Sequence, residues 1–265
     1  MKTVSLNGAE VAAFVKERHR AQLASLTVVP RLAIIVAERQ ADDTARYIRV
    51  KTRYASDLGI EVETVIATAD TLPETIARYN RDSSVHGVIV QLPFLSDTLD
   101  SALQTIDEKK DVDALAHDRY ASPTATAILW LLAAYGIDLA GKTIVVVGAG
   151  RLVGQPIIHE LQSMSLEPLC IDETTADPAS IARSANIIIS GVGKPDIIKS
   201  DWLSPGVVVV DAGVASEAGT LKGDVEADAR LRGDISVTPL QGGVGPLTVC
   251  ALFDNLIRAA ESSPR

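Results

Sequence analysis

The stretch TIVVVGAGRLVGQP, Thr143–Pro156, decides the fold class of this chain. Its β-branched run has the composition of a buried strand, which ends in Gly148-Ala149-Gly150 and resumes at Gly154 ahead of a helical pattern. A glycine-rich turn between a strand and a helix lets a pyrophosphate reach free N–H groups at the helix N-terminus. The stretch therefore predicts a dinucleotide-binding α/β unit, with a plain strand-to-helix turn as the alternative.

Similar apolar runs alternate with helical patterns on both sides of this stretch. Strands are predicted at 31–37, 62–67, 86–93, 143–150, 168–172, 185–192 and 206–213, and helices at 8–25, 43–58, 73–81 and 126–136. Continuous Val/Ile runs separated by helices indicate parallel strands that are buried on both faces. The sequence predicts two α/β units joined near 114–125, with a last helix from about 246 whose unit the pattern does not assign.

The composition excludes several classes of protein. The 265 residues are 47% hydrophobic and carry a net charge of −9, so we expect a well-cored globular protein without the basic surface that nucleic acids require. No apolar run reaches the roughly 18 residues of a membrane span, and the N-terminal residues lack the pattern of a signal peptide. Cys170 and Cys250 are too few for a disulfide framework or a metal site. These features favour a cytoplasmic protein that holds small ligands by local geometry.

Two acidic residues follow the next predicted strand. Asp172 and Glu173 lie about where a carboxylate hydrogen-bonds the adenosine ribose of a bound dinucleotide. Their charge would repel a 2′-phosphate, and no arginine occupies the Gly148–Gly150 turn to attract one, although Arg151 is adjacent. The local chemistry therefore favours NAD over NADP. The alternative role for these carboxylates is to cap a turn in solvent.

Polar residues in the first predicted unit form a candidate reacting site. Tyr47 and Lys51 stand at i and i+4 on a predicted helix, so they share one face. The same pair serves short-chain dehydrogenases, but there it follows the glycine-rich loop, and chain order excludes that family here. Gln91 ends a strand where open α/β sheets place ligand contacts, and Asp113 is able to accept paired hydrogen bonds from an amino-pyrimidinone edge. Taken singly, these residues also fit an exposed helix face and ordinary polar loops.

The late segment VTPLQGGVGPLTVCALFDNLI, Val237–Ile257, places several glycines ahead of an apolar helix. Glycine lets the backbone approach a ligand or adopt a positive φ, and Pro246 suits the first turn of a helix. The segment predicts a shaped loop before a helix whose N-terminal amides face another group, which this segment alone does not identify. A tight turn with a helix start is the simpler interpretation.

Taken in order, these motifs resemble those of the FolD family, the bifunctional methylenetetrahydrofolate dehydrogenase/cyclohydrolases. The matching motifs, between Arg31 and Asn255, are Y-x-x-x-K, V-I-V-Q-L-P, K-D-V-D, G-K-x-I-V-V-V-G, V-G-x-P, G-K-P, V-V-D-x-G and T-P-x-x-G-G-V-G-P-x-T. The resemblance implies oxidation of 5,10-methylenetetrahydrofolate with NAD(P)⁺ and hydrolysis of the methenyl product to 10-formyltetrahydrofolate. It also implies a cytoplasmic homodimer that acts in one-carbon metabolism and purine biosynthesis.

The resemblance further implies two domains with a cleft between them, and a set of site residues. A folate-binding catalytic domain is expected at 1–118, completed by 246–265, and a Rossmann-like NAD(P)-binding domain at 119–245. Four catalytic residues are expected. Lys51 is expected to serve the hydrolysis with Gln91 tuning it, while Tyr47 stacks on or positions the folate and Asp113 holds the pterin. The other expected substrate contacts are Leu92, Pro93, Leu240, Gln241, Gly242, Gly243 and Val244. The expected cofactor contacts are Gly148, Ala149, Gly150, Arg151, Val153, Gly154, Asp172, Glu173, Val192, Gly193 and Val214.

Several motifs depart from the family pattern. The family's D-V-D-G is DVDA at Asp111–Ala114, and the shorter segment after it lacks the family's P-C-T-P cysteine. The G-R-S turn is replaced by Gly148–Gly150, the H-S pair by Asp172-Glu173, and V-P-G-G by Leu240–Gly243. The resemblance thus implies NADP, whereas the local residues favour NAD. The alternative functions are a related two-domain dehydrogenase of shikimate or pterin type and a folate- or nucleotide-binding protein without turnover.

Overall fold

The computed structural model describes residues 3–38, 42–213, 215–217 and 220–263. The chain forms two compact units. The three-strand unit contains Phe14–Pro123 and Val249–Arg265, and the five-strand unit contains Met1–Ala13 and Thr124–Thr248. In the described residues, no helix has the length and the hydropathy that crossing a membrane requires.

The three-strand unit is built on a parallel sheet. Its strands are β1 (Arg31–Ala37), β2 (Glu61–Ala67) and β3 (Gly87–Val90), in the order β2-β1-β3. The central five residues of β1 and all of β3 are buried, as expected for Val/Ile runs covered on both faces. The parallel arrangement predicted from the sequence is confirmed.

Helices α1 (Gly8–Ser25), α2 (Asp42–Leu58), α3 (Leu72–Arg81), α4 (Leu99–Leu103) and α8 (Val244–Glu261) contribute to this unit wholly or by their later residues. A buried polar contact joins three of them. His19 on α1 is fully buried, with Nδ1 3.0 Å from the Tyr54 hydroxyl on α2 and Nε2 3.2 Å from Asp254 Oδ1 on α8. This contact fixes the helix that carries Tyr47 and Lys51.

The five-strand unit is also built on a parallel sheet. Its strands are β4 (Ile144–Val147), β5 (Leu169–Ile171), β6 (Ile187–Ser190), β7 (Val208–Asp211) and β10 (Ser236–Val237), in the order β10-β7-β6-β4-β5. Between β7 and β10 the chain forms an antiparallel pair, β8 (Ala215–Glu217) and β9 (Thr220–Lys222). The helices are α5 (Pro123–Ala134), α6 (Gly154–Ser163) and α7 (Pro178–Ser184). The predicted α/β class with Rossmann-like parallel strands is confirmed.

The ends of the elements follow local chemistry. The helix expected at 126–136 occupies Pro123–Ala134 instead, because Pro123 suits the first helical turn and Gly136, at φ 65°, ends the helix. The N-terminal residues lie on the five-strand unit, where the Leu6 N–H donates to the Val237 carbonyl at 3.0 Å. Strand β10 is only two residues long, and the apolar pattern of the sequence did not predict it.

Candidate functional site

The first candidate site lies at the carboxyl edge of the three-stranded sheet. Because β2 and β3 flank β1 on opposite sides, the strand order reverses between β1 and β3. Open α/β sheets bind ligands outside such a reversal point. Gln91 directly follows β3 there, and its N–H still donates to the Ile35 carbonyl of β1 at 2.8 Å.

Lys51 on α2 reaches this edge. Its Nζ donates to Gln91 Oε1 at 2.9 Å, and Gln91 Nε2 donates to the Leu92 carbonyl at 2.9 Å. These two contacts fix the orientation of the amide, because only its oxygen accepts from an ammonium or amine. The structure thus brings together two of the residues that the sequence singled out separately.

The surroundings of Lys51 change its protonation. Burial lowers the pKa of the Lys51 amine, and the negative charge of Asp113 opposes this shift. Burial also raises the pKa of the Asp113 carboxyl, which the charge of Lys51 lowers and that of Asp111 raises further. A lysine with a lowered pKa has a larger neutral fraction near pH 7 and is able to accept a proton there.

Three further residues that are predicted to contact the substrate lie close to Lys51 or Gln91 in the sequence. Tyr47 lies one helical turn before Lys51 and is 54% exposed, so its ring is open to a planar ligand. Leu92 and Pro93 follow Gln91 and are joined to each other by a cis peptide bond, with Leu92 partly buried and Pro93 exposed. Their contact with folate stays a prediction.

Asp111 organises the segment that carries Asp113. The Asp111 side chain is buried, and its carboxylate accepts three backbone N–H groups of the following turn, from Leu115, Ala116 and His117, at 3.2, 2.9 and 2.8 Å. Asn255 on α8 fixes the same segment by donating to the carbonyls of Val112 and Ala121, both at 3.0 Å. The shortened segment is therefore held by specific hydrogen bonds.

Ala114 stands where the family pattern D-V-D-G has glycine, and its φ is 52°. A non-glycine residue in this left-handed region costs about 1 kcal/mol or more. The hydrogen bonds to Asp111 compensate for this cost because they define the turn. The segment thus keeps a backbone shape that suits glycine although the glycine itself is absent.

The second candidate site is the glycine-rich turn after β4, where the strand order of the larger sheet reverses between β4 and β6. Gly148 has φ 81°, and a Cβ on Gly154 would lie 1.9 Å from the Gly148 carbonyl oxygen. These two glycines are required by the turn itself. A Cβ on Gly150 would meet no described atom within 4 Å, so Gly150 leaves its backbone open to a ligand. The turn fits a dinucleotide pyrophosphate.

The loop after β6, Gly191–Gly193, packs against this turn. A Cβ on Gly148 would lie 2.6 Å from Val192 Cγ2, and a Cβ on Gly191 would lie 2.3 Å from Val153 Cγ1. The structure therefore brings together three predicted cofactor residues from two parts of the chain, Gly148, Val153 and Val192, and Gly193 follows Val192 in the same loop. Ala149 and Arg151 are exposed on the same turn.

Asp172 follows β5 and caps a turn, which was the alternative role for this residue. Its Oδ1 accepts the Thr174 N–H at 2.9 Å and the hydroxyls of Thr174 and Thr175 at 2.7 and 3.1 Å. These hydrogen bonds lower the pKa of the Asp172 carboxyl. Its Oδ2 has no hydrogen bond to the part of the chain that the structure describes. Glu173 is exposed and pairs with Lys194 at 2.6 Å.

The late glycine loop packs against the start of α1. Gly242, at φ 79°, accepts the Ala9 N–H at 3.0 Å through its carbonyl oxygen, and a Cβ on Gly8 would lie 2.0 Å from the Gly243 carbonyl oxygen. Close packing explains the glycine at 8, and the positive φ explains the glycine at 242. A Cβ on Gly245 would meet open space. Substrate contacts by Leu240, Gln241, Gly242, Gly243 and Val244 stay predictions, and Val214 lies outside the described residues.

The five-strand unit contains a pair of buried acids that were not predicted from the sequence. Asp211 ends β7 and pairs with Arg230, and Asp224 accepts hydrogen bonds from Ser190 and Val192. Asp211 belongs to the V-V-D-x-G motif, but nothing in that motif indicated a partner. In the sequence, nothing distinguishes Asp224 from other acidic residues except that it follows Gly223.

Comparison with known proteins extends over almost the whole chain. Residues 6–113 match the catalytic domain of tetrahydrofolate dehydrogenase/cyclohydrolase, and residues 122–264 match its NAD(P)-binding domain. The bifunctional protein FolD of Thermus thermophilus is 34% identical over 96% of this chain and 95% of its own length.

Two crystal structures are similar to this chain along their full length. FolD from Campylobacter jejuni has a TM-score of 0.90 at 30% identity, covering 98% of this chain and 99% of that one. FolD from Trypanosoma brucei, complexed with NADP and an inhibitor, has a TM-score of 0.90 at 27% identity and covers 99% of both chains. Since sequence and fold agree over both units, this chain belongs to the tetrahydrofolate dehydrogenase/cyclohydrolase family.

Proposed function

We propose that this protein oxidises 5,10-methylenetetrahydrofolate with NAD(P)⁺ and hydrolyses the methenyl product to 10-formyltetrahydrofolate. The observation that carries the proposal is the contact of a partly buried lysine, Lys51, with the amide of Gln91 at the reversal point of the first sheet. Family membership over both units supports this function over a shikimate- or pterin-type dehydrogenase and over a binding protein without turnover.

The oxidation depends on alignment more than on acid–base chemistry. The dinucleotide, when bound, supplies the hydride acceptor. Gly150 offers an open backbone to its pyrophosphate, and the Gly191–Gly193 loop flanks the glycine-rich turn. These residues bind and orient the dinucleotide, and the oxidation requires no proton transfer through them.

The hydrolysis needs a base for the attacking water. Neutral Lys51 accepts a proton from the water that adds to the methenyl carbon, and Gln91 holds the lysine in place. Tyr47 stacks on the folate ring system, and Asp113 accepts hydrogen bonds from the pterin edge. Burial lowers the pKa of Lys51 and so increases the neutral fraction of the amine.

A spectroscopic assay that follows the methenyl intermediate separates the two steps. With methylenetetrahydrofolate and NAD⁺ or NADP⁺, we expect reduced cofactor and 10-formyl product from the wild-type protein. Lys51→Met is expected to reduce methenyl hydrolysis by a factor of about 100 or more while dinucleotide reduction continues, since general base catalysis typically contributes that much. Lys109→Met, which changes an exposed lysine, is the control. Full hydrolysis by Lys51→Met would remove Lys51 from the mechanism.

We further propose NAD as the preferred cofactor, because Asp172 and Glu173 place negative charge beyond β5 and the Gly148–Gly150 turn has no arginine. A cytoplasmic homodimer that supplies one-carbon units, including those for purine synthesis, is proposed from the family. Sedimentation equilibrium of the purified protein tests the dimer, and a monomer at micromolar concentration would contradict it.

A further inference from the structure

Asp224 is a fully buried acid beneath the loop after β6. Its Oδ2 accepts the Ser190 hydroxyl at 2.6 Å and the Val192 N–H at 2.7 Å. Ser190 is the last residue of β6, and Val192 lies two residues further on. One carboxylate oxygen therefore joins the end of the strand to the loop that follows it.

The space around this carboxylate is closed. A Cβ on Gly213, just beyond β7, would lie 2.0 Å from Asp224 Oδ2. Asp224 Oδ1 is buried and has no hydrogen-bond partner among the described residues. Burial and the charge of Asp211 raise the pKa of the Asp224 carboxyl, while the hydrogen bonds from Ser190 and Val192 lower it. Burying an acid in this way destabilises the fold, so packing alone does not explain why an acid occupies this position.

Asp211, the neighbouring buried acid, supports a different segment. Asp211 pairs with Arg230, and its carboxylate also accepts the N–H groups of Gly213 and Val225, both at 3.0 Å. These partners lie beyond β7, and none belongs to the Gly191–Gly193 loop. Asp211 is an ion-paired support for its own segment, whereas Asp224 reaches the loop.

Val192 transmits the position of Asp224 to the glycine-rich turn. Its Cγ2 lies over Gly148, where a Cβ would be only 2.6 Å away, and Gly191 packs against Val153 equally closely. A shift of the Val192 backbone would therefore move the loop relative to the turn. The two segments are the ones proposed to hold the dinucleotide.

We infer that Asp224 is a positioning residue for the dinucleotide, which fixes the Gly191–Gly193 loop against the glycine-rich turn through Ser190 and Val192. The inference rests on the proposed dehydrogenase function. It assigns Asp224 no contact with the ligand and no part in the hydrolysis, which Lys51 serves in the other unit.

The variant Asp224→Asn tests this inference, because it keeps the shape of the side chain and removes its negative charge. A neutral amide oxygen in the place of Oδ2 accepts the Ser190 and Val192 donors more weakly than a carboxylate oxygen does, so the loop is expected to be held less firmly. We expect the Kd for NAD⁺ and NADP⁺, measured by calorimetry, to rise about tenfold or more, as when hydrogen bonds to a charged group are replaced by neutral ones. Methenyl hydrolysis, assayed without dinucleotide, is expected to stay within about twofold of wild type, since Lys51 is untouched.

Two further variants make the test specific. Asp228→Asn changes an exposed acid of the same unit and is expected to leave both Kd values unchanged. Ser190→Ala removes one of the two donors and is expected to raise the Kd less than Asp224→Asn does. The double variant is expected to lose less binding free energy than the two single variants lose together, because the two residues act through one contact. Ser190→Ala also tests the inference if Asp224→Asn fails to fold.

The outcomes distinguish the inference from the proposed function. Wild-type Kd values for both Asp224→Asn and Ser190→Ala would overturn the positioning role, as would an equal loss of dinucleotide binding and hydrolysis in a folded variant. A wild-type protein that binds neither dinucleotide would contradict the dehydrogenase function itself. Weakened binding with hydrolysis intact supports the inference.

Discussion

At the scale of single residues, Lys51 is subject to two opposing influences on its charge. Burial lowers the pKa of its amine, and the charge of Asp113 raises it. If the neutral amine is the base, kcat for methenyl hydrolysis rises as pH increases through this lowered pKa. Asp113→Asn removes the raising influence, so we expect the ascending limb to move to lower pH. The measurement is kcat against pH at saturating substrate, corrected for uncatalysed hydrolysis.

Asp118→Asn, at an exposed position five residues further on, is the control and should leave the limb in place. A limb that moves to higher pH in Asp113→Asn would contradict the assignment of the base.

The lowered pKa of Lys51 also has a consequence for the stability of the fold. Since the unfolded chain binds this proton more tightly than the folded one, protonation opposes folding at every pH below the pKa of the unfolded lysine. Lys51→Met is therefore expected to lose hydrolysis without losing stability at neutral pH.

Asp172 decides a second prediction at this scale. One of its oxygens caps the turn with Thr174 and Thr175, and the residue is exposed. We expect Asp172→Ser combined with Ala149→Arg to shift the ratio of kcat/KM for NADP⁺ over NAD⁺ upward by about tenfold or more, because a repelling carboxylate is exchanged for a guanidinium. The matched control is Asp201→Ser at another exposed acid. An unchanged ratio would mean that neither position contacts the ribose.

At the scale of elements, the glycine-rich turn separates glycines required for folding from one required for binding. Gly154→Ala would place Cβ 1.9 Å from a carbonyl oxygen, so we expect it to destabilise the protein by more than about 2 kcal/mol in urea unfolding. Gly150→Ala meets no described atom within 4 Å and is expected to fold like wild type. Its methyl group would occupy the approach of the pyrophosphate, so dinucleotide binding is expected to weaken. Wild-type affinity in Gly150→Ala would place the pyrophosphate elsewhere.

The same elements show what the sequence allows to be predicted. Strand β1 was predicted at its observed bounds, Arg31–Ala37, because burial on both faces demands a continuous apolar run. Strand β10 has no such run; it exists because Ser236 and Val237 pair with β7. Local composition therefore predicts β1, but it contains no pattern that predicts the pairing of β10 with β7.

At the scale of the whole molecule, the contacts that the sequence concealed join distant residues. Lys51 and Gln91 were each predicted, but their hydrogen bond depends on the order β2-β1-β3, which places α2 beside the end of β3. The role inferred for Asp224 depends on its hydrogen bonds with Ser190 and Val192, which lie more than thirty positions earlier in the sequence. Such pairs depend on strand order and crossover geometry, and no residue pattern within one segment encodes them.

The net charge gives the last prediction, since −9 on this chain repels anionic dinucleotides before they reach the site. Raising the ionic strength from about 0.01 M to about 0.15 M shortens the screening length from about 30 Å to about 8 Å and weakens this repulsion. We therefore expect KM for NADP⁺ to fall with added salt, and to fall more than KM for NAD⁺, because the 2′-phosphate adds charge. The measurement compares initial rates with both cofactors at matched folate concentration, in sodium chloride and in potassium chloride to exclude a specific ion effect. A KM for NADP⁺ that rises with salt would show that cations beside the turn, such as Arg151 and Lys194, outweigh the field of the whole protein.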